Sequence, residues 1–244
     1  IHFYAKNRRI DFETRVDWKD HQHLLKVHFP VDVHTDEASF DIQFGNLTRK
    51  VHYNTSWDVA RFESCGQKWI DLSEGHYGVS ILNDCKYGYS VKDGNMSLSL
   101  IKSGIEPNQT CDQEEHFFTY SLYPHAENLR EGGTIQQAAD LNQPCMVVHG
   151  GSRGSEHSFA GVDHRNVYLE TIKAAEDGNG VILRMYEDEN ARTKFHVSLP
   201  GSDIAHVEEC NCIEEKVKDM EICTDGFTDV IKPFEIKSYR VILK

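Results

Sequence analysis

The chain has 244 residues, 26 Lys and Arg against 39 Asp and Glu, and a formal net charge of -13. Nucleic acid and anionic membrane surfaces both require a basic footprint, so this balance excludes them as partners. No apolar run approaches the length of a membrane-spanning helix and no apolar leader is visible, so a soluble chain is expected.

Residue 1 is Ile, and IHFYAKNRRIDFETRVDW reads as a strand already under way, which predicts a piece of a longer polypeptide. Residues 10–18 alternate, with Ile10, Phe12, Val16 and Trp18 expected on the buried face and Asp11, Glu13, Arg15 and Asp17 outward. Leu25, Val27, Phe29 and Val31 repeat the pattern, as do Phe40, Ile42 and Phe44. Residues 51–53 and 60–62 are expected to continue the sheet. Residues 78–82 and 96–101 are two further strands, and Asp93-Gly94 between them is a hairpin signal. The stretch 57–90 holds two of the three tryptophans, and Trp57, Phe62, Trp69, Tyr77, Tyr87 and Tyr89 are expected to be buried.

Residues 103–116 read as a polar loop and residues 117–123 as an aromatic strand. One helix is expected, with Thr134 as N-cap, Gln137 completing a capping box, and a stop before Pro144. The glycine and serine cluster between Cys145 and Gly161 divides the chain into domains at 1–150 and 162–244. Beyond it, residues 167–173, 181–186, 193–199, 204–207, 217–222 and 235–243 are strand candidates, enough for a small β-sandwich. The fold class is all-β and antiparallel, with no βαβ pattern.

Seven cysteines at irregular spacing do not form a disulfide framework. Free thiols and a cytoplasmic setting are expected, and this outweighs the four glycosylation sequons at Asn46, Asn54, Asn95 and Asn108. Cys65 and Cys85 are expected to behave as small buried hydrophobes. His21-x-His23 offers too few ligands for a metal, and Cys210-x-Cys212 has the wrong spacing for a zinc knuckle. Neither a phosphate-cradling glycine loop nor a G-x-S-x-G elbow occurs. No resident metal and no catalytic residue is assigned to the chain.

Four separated motifs occur in one order: W-D-V-A-R-F-E with K-W-I-D-L-S-E and N-D-C-K-Y-G-Y-S in 57–90, R-R-I-D-F-E-T-R-V-D-W at 8–18, L-E-T-I-K-A-A-E-D-G-N-G-V-I-L-R-M-Y-E at 169–187, and K-P-F-E-I-K-S-Y-R at 232–240. In that order they resemble the C-terminal β region of the glycoside hydrolase family 38 α-mannosidases. The resemblance implies a galactose mutarotase-like antiparallel supersandwich followed by a small β-sandwich. It implies retaining hydrolysis of α-mannosidic bonds, with an aspartate nucleophile, a carboxylic acid/base and a zinc ion, all outside this chain. The β region would pack on an N-terminal catalytic domain of the same polypeptide and lend loops to the rim of the sugar site. Asn83, Asp84, Lys86, Tyr87 and Lys102 are the rim candidates, with Arg61 as a buried ion-pair partner. An α-mannoside or mannose oligosaccharide is the implied ligand, and a homo-oligomer is compatible with the reading. Two other classes fit an all-β chain: a free-standing carbohydrate-binding module, and an aldose epimerase using His76 and Glu74.

Overall fold

In the computed structural model, which describes residues 1–150, 154 and 156–244, the chain divides into two units at residues 147 and 148. Part of the cluster between Cys145 and Gly161 lies outside the described residues. In the first unit the strands are β1 (His2–Tyr4), β2 (Asn7–Asp17), β3 (Leu24–Pro30), β4 (Glu37–Ile42) and β5 (Gly45–Lys50). Then follow helix α1 (Ser56–Ala60), β6 (Ser64–Cys65), β7 (Trp69–Ser73), β8 (Tyr77–Asn83), β9 (Gly88–Lys92), β10 (Asn95–Lys102), β11 (Glu115–Ala126), α2 (Leu129–Gly132) and α3 (Thr134–Asn142).

A seven-stranded sheet, β1-β2-β11-β8-β7-β4-β5, faces a four-stranded one, β3-β10-β9-β6, and every pairing is antiparallel. Ile70, Leu72, Val79 and Ile81 point into the core between the sheets, where they meet Tyr89, Met96 and Leu98. The period of two sends Trp69 and Leu82 to the opposite face, where Ile135 and Ala138 of α3 cover them. Under α3 the larger sheet is therefore buried on both sides. Asp93 and Gly94 both have positive φ, at 49° and 71°, as the primed turn joining β9 to β10 requires.

The expected faces of β2 hold for Glu13, Arg15 and Asp17, which are exposed, and fail at Asp11. Phe12 and Val16 do pack toward the inter-sheet core, but Asp11 on the other face is buried too, held by Arg9, Tyr4 and Ser121. Residues 51–53 and 60–62 are not strand: Thr55 and Asp58 close a capping box that starts α1. Helix α3 sits where expected, yet its N-cap is Gly133; Thr134 is its first residue, with its hydroxyl 2.7 Å from that of Ser80. Of the six aromatics expected inside, Trp69 and Tyr89 are buried, whereas Trp57, Phe62 and Tyr87 are exposed on α1 and the strand-linking segments and Tyr77 at the first position of β8. Cys65 and Cys85 are also on the surface, and Cys210 is the buried thiol.

The second unit comprises β12 (Gly161–Val162), β13 (Val167–Ala174), β14 (Val181–Glu187), β15 (Thr193–Ser198), β16 (Ile204–Cys210), β17 (Lys216–Asp219), β18 (Ile222–Cys223), β19 (Gly226–Ile231) and β20 (Ile236–Leu243). Sheets β12-β15-β19-β18 and β13-β14-β20-β16-β17 close a sandwich over Phe195, Phe227, Leu183, Met185 and Tyr239. Residues 217–222 are two short strands in different sheets rather than one, and β19, absent from the expected set, supplies two fully buried core residues, Phe227 and Ile231.

Candidate functional site

The turn after β8 is one of the places where the larger sheet hands the chain to the smaller one, and it holds four of the six rim candidates. Asn83 closes β8 and is fully buried: its Nδ2 donates to the Gln67 carbonyl at 2.7 Å and to the Tyr89 hydroxyl, and its Oδ1 accepts the Lys86 N–H at 2.5 Å. A buried amide with all these partners braces the turn. Asp84 is exposed but anchored, since its Oδ2 accepts the Thr119 N–H at 2.9 Å and its own N–H donates to the Thr119 carbonyl at 3.1 Å. Lys86 lies across Phe118, with Nζ 4.6 Å from the ring centroid. Tyr87 takes the Gly66 N–H on its carbonyl at 3.1 Å and leaves its ring in solvent.

Lys102 ends β10 on the same side. The register that pairs Ser99 with Gly88 puts Lys102, opposite Leu24, three residues beyond the start of β9. Leu24 and Phe117 are exposed at this end, Phe117 lying three residues outward of Tyr120, the partner of Asn83. The end thus presents exposed rings, two ammonium groups and one carboxylate. Rings stack on the C–H faces of a sugar, and ammonium and carboxylate groups fix hydroxyls. Glycoside hydrolysis needs two opposed carboxyl groups, and the turn supplies Asp84 alone.

Arg61 is not part of this end and is not buried. It caps α1 from the exposed side, donating to Asp58 Oδ1 at 3.3 Å, and lines a separate pocket with Arg49 and His52. The epimerase pair also separates: His76 Nδ1 meets Glu127 at 2.8 Å, while Glu74 Oε2 accepts the His34 N–H at 2.7 Å. The two side chains are engaged by different neighbours and do not face one groove.

Sequence reasoning missed a buried polar cluster between the large sheet and α3. His125 Nε2 lies 2.7 Å from Asp71 Oδ2, and Ser80 donates to the same oxygen at 2.7 Å. Cβ atoms at Gly78 and Gly132 would stand 2.2 and 2.3 Å from the imidazole, so only glycine admits the ring on both sides. The readable signal was Asp71 and Ser80 in otherwise apolar strands, at positions alternating with Ile70 and Ile81.

Among the described residues two groups have metal-ligand chemistry, both in the second unit. In the first, His196 has Nε2 3.1 Å from Asp225 and Nδ1 3.8 Å from Cys223, with Cys223 and Asp225 exposed. In the second, His206 and Asp219 share their space with the Lys216 ammonium, 2.6 Å from Asp219. A cation of the protein's own already occupies that position.

Residues 1–110 match the family model described as the glycosyl hydrolases family 38 C-terminal domain, and residues 166–239 match that of the family 38 C-terminal beta sandwich domain. The chain is similar to alpha-mannosidase G of Dictyostelium discoideum, 39% identical over 99% of this chain, and to human alpha-mannosidase 2C1, 36% identical over 96%. It spans 23% of the length of each. An alpha-mannosidase from Enterococcus faecalis V583 superposes with a TM-score of 0.78 and 20% identity, over 98% of this chain and 28% of that one.

Proposed function

This chain belongs to glycoside hydrolase family 38, as its C-terminal β region, and from that membership we propose that the whole protein is a retaining α-mannosidase acting in mannose metabolism. The observation that carries the reading is the run of similarity to α-mannosidases over 96–99% of the chain at 36–39% identity. A free-standing carbohydrate-binding module is less well supported, since those relatives extend to about four times this length.

In this reading the chain packs on a catalytic domain elsewhere in the polypeptide, and the end formed by Asp84, Lys86, Tyr87 and Lys102 edges the sugar site. Asn83 holds the turn in shape rather than touching sugar, because its polar atoms are spent on Gln67, Lys86 and Tyr89. The zinc of the family polarises sugar hydroxyls when bound. In this reading the zinc ligands belong to the segments outside, as the resemblance implies. Seven free thiols are consistent with a cytoplasmic protein, and self-association of the whole protein is compatible with the reading.

The test is hydrolysis of an aryl α-mannoside by the whole protein and by the 244-residue chain alone. The expected outcome is turnover with retained anomeric configuration by the whole protein and none by the chain, which lacks nucleophile and zinc. Turnover by the chain that survives chelation and repurification would overturn the assignment of the chemistry to the rest of the protein.

A further inference from the structure

Arg49 on β5 has an electrostatic situation unlike that of any neighbouring cation. Its guanidinium lies flat over Phe40, 4.4 Å from the ring centroid, and Nη1 is sealed from solvent with no hydrogen-bond partner. The nearby acids are engaged elsewhere. Lys50 binds Asp36 at 2.9 Å and Glu37 at 2.7 Å, while Asp58 holds Thr55, Arg61 and His52. Burial consequently depresses the Arg49 pKa, against only a distant effect of Cys65. Stacking on Phe40 satisfies the face of the guanidinium plane, but it leaves the N–H edge unused.

Arg49 lines a pocket between α1, the segment 51–53 and β9 together with Lys50, His52, Tyr53, Arg61, Ser64 and the Asp58 carboxylate, which Thr55, Arg61 and His52 hold. Four basic side chains, Arg49, Lys50, His52 and Arg61, thus line the pocket against the single carboxylate of Asp58, and Nη1 of Arg49 makes no hydrogen bond. An arginine fork matches two oxygens of a planar or tetrahedral oxyanion, and a half-buried fork without one leaves an unfavourable charge in place. We propose that this pocket is an oxyanion site, in which Arg49 grips a phosphate, sulfate or carboxylate group seated by the hydroxyls of Tyr53 and Ser64. The oxyanion comes either from a soluble ligand or from an Asp or Glu of the polypeptide outside this chain. The site is separate from the end that carries Lys86 and Tyr87 and does not depend on the sugar-rim reading.

Inorganic phosphate titrated calorimetrically at constant ionic strength into the whole protein and into the 244-residue chain tests it, each as wild type, Arg49→Met and Arg49→Lys. Saturable binding should weaken about tenfold or more in Arg49→Met, the scale of one charge-assisted hydrogen bond. It should weaken in Arg49→Lys as well, which keeps the charge without the fork. Equal binding by whole protein and chain assigns the site to a soluble oxyanion. Binding by the chain but not by the whole protein assigns it to an internal carboxylate. Circular dichroism checks the folding of each variant, and should Arg49→Met not fold, Arg49→Lys decides. Phosphate binding that is the same in all three sequences, or absent from both wild-type forms, overturns the proposal.

Discussion

His125 shows how much a single buried residue fixes in this fold. Burial works to lower its pKa, and the hydrogen bond and charge of Asp71, with the carbonyls of Ala126 and Glu127, outweigh burial, so the net shift is upward. A histidine whose folded pKa is raised contributes stability that is fully present below its unfolded value, near 6.5, and is lost as pH rises through the folded value. We expect urea unfolding of the first unit to show declining stability across that window. His125→Gln should flatten the slope and cost about 3–5 kcal/mol at acid pH, the scale of breaking a buried pair. Asp188 of the second unit is the opposite kind of group. Burial first, then the charges of Glu189 and Glu187, push its pKa up to about 8. The unfolded carboxyl ionises near 4 and the folded one does not, so stability falls as pH climbs from about 4 to 8. Asp188→Asn should therefore raise the melting temperature at pH 8 and change it little at pH 4; a fall at both would refute the assignment. Neither residue stood out in the sequence, where one of 14 histidines and one of 39 acids carry no mark of their surroundings.

At the level of elements, alternation located most strands, because a period of two in apolar residues is a direct imprint of a half-buried sheet. It failed where the sheet is covered twice. In β2 one residue of the polar face, Asp11, is buried by charge pairing with Arg9 rather than by apolar contact, so it looks solvent-facing in sequence and is not. It failed again at α1, where five residues hold one turn by the Thr55 and Asp58 capping box alone and leave Trp57 and Phe62 outside. Strand β19 was hidden for a different reason. Its first residue, Gly226, approaches β15 so closely that a Cβ would lie 1.8 Å from the Val197 carbonyl oxygen, a constraint that no pattern of hydrophobicity expresses. Gly226→Ala should accordingly force β15 and β19 apart and destabilise the second unit by at least about 1–3 kcal/mol, the range for overpacking. Unchanged chemical denaturation of that variant would mean that the strands can shift at no cost.

On the scale of the whole molecule, the two units differ in what they offer. The second is a sandwich whose two sheets are tied from their inner faces by the buried pair Lys237 to Asp229 at 2.6 Å, with Arg240 bound to Asp177 at 2.6 Å on the other face of β20. The first carries the turn between β8 and β9, and with it the exposed end proposed to meet sugar. Resemblance pointed to that turn, and the structure divides its residues by role: Asn83 is buried in hydrogen bonds, Asp84 is tied to Thr119, and Lys86, Tyr87 and Lys102 keep free ends. Sequence could not make that division, because an Asn that braces and an Asn that binds are the same letter. The division makes the rim claim testable in one comparison within the whole protein: melting temperature and aryl α-mannoside kinetics for Lys86→Ala and Tyr87→Ala beside Asn83→Ala. The account predicts that Lys86→Ala and Tyr87→Ala lower kcat/KM about tenfold, worth about 1.4 kcal/mol, at a nearly unchanged melting temperature, whereas Asn83→Ala lowers the melting temperature first. Wild-type activity per folded molecule in both Lys86→Ala and Tyr87→Ala would contradict it.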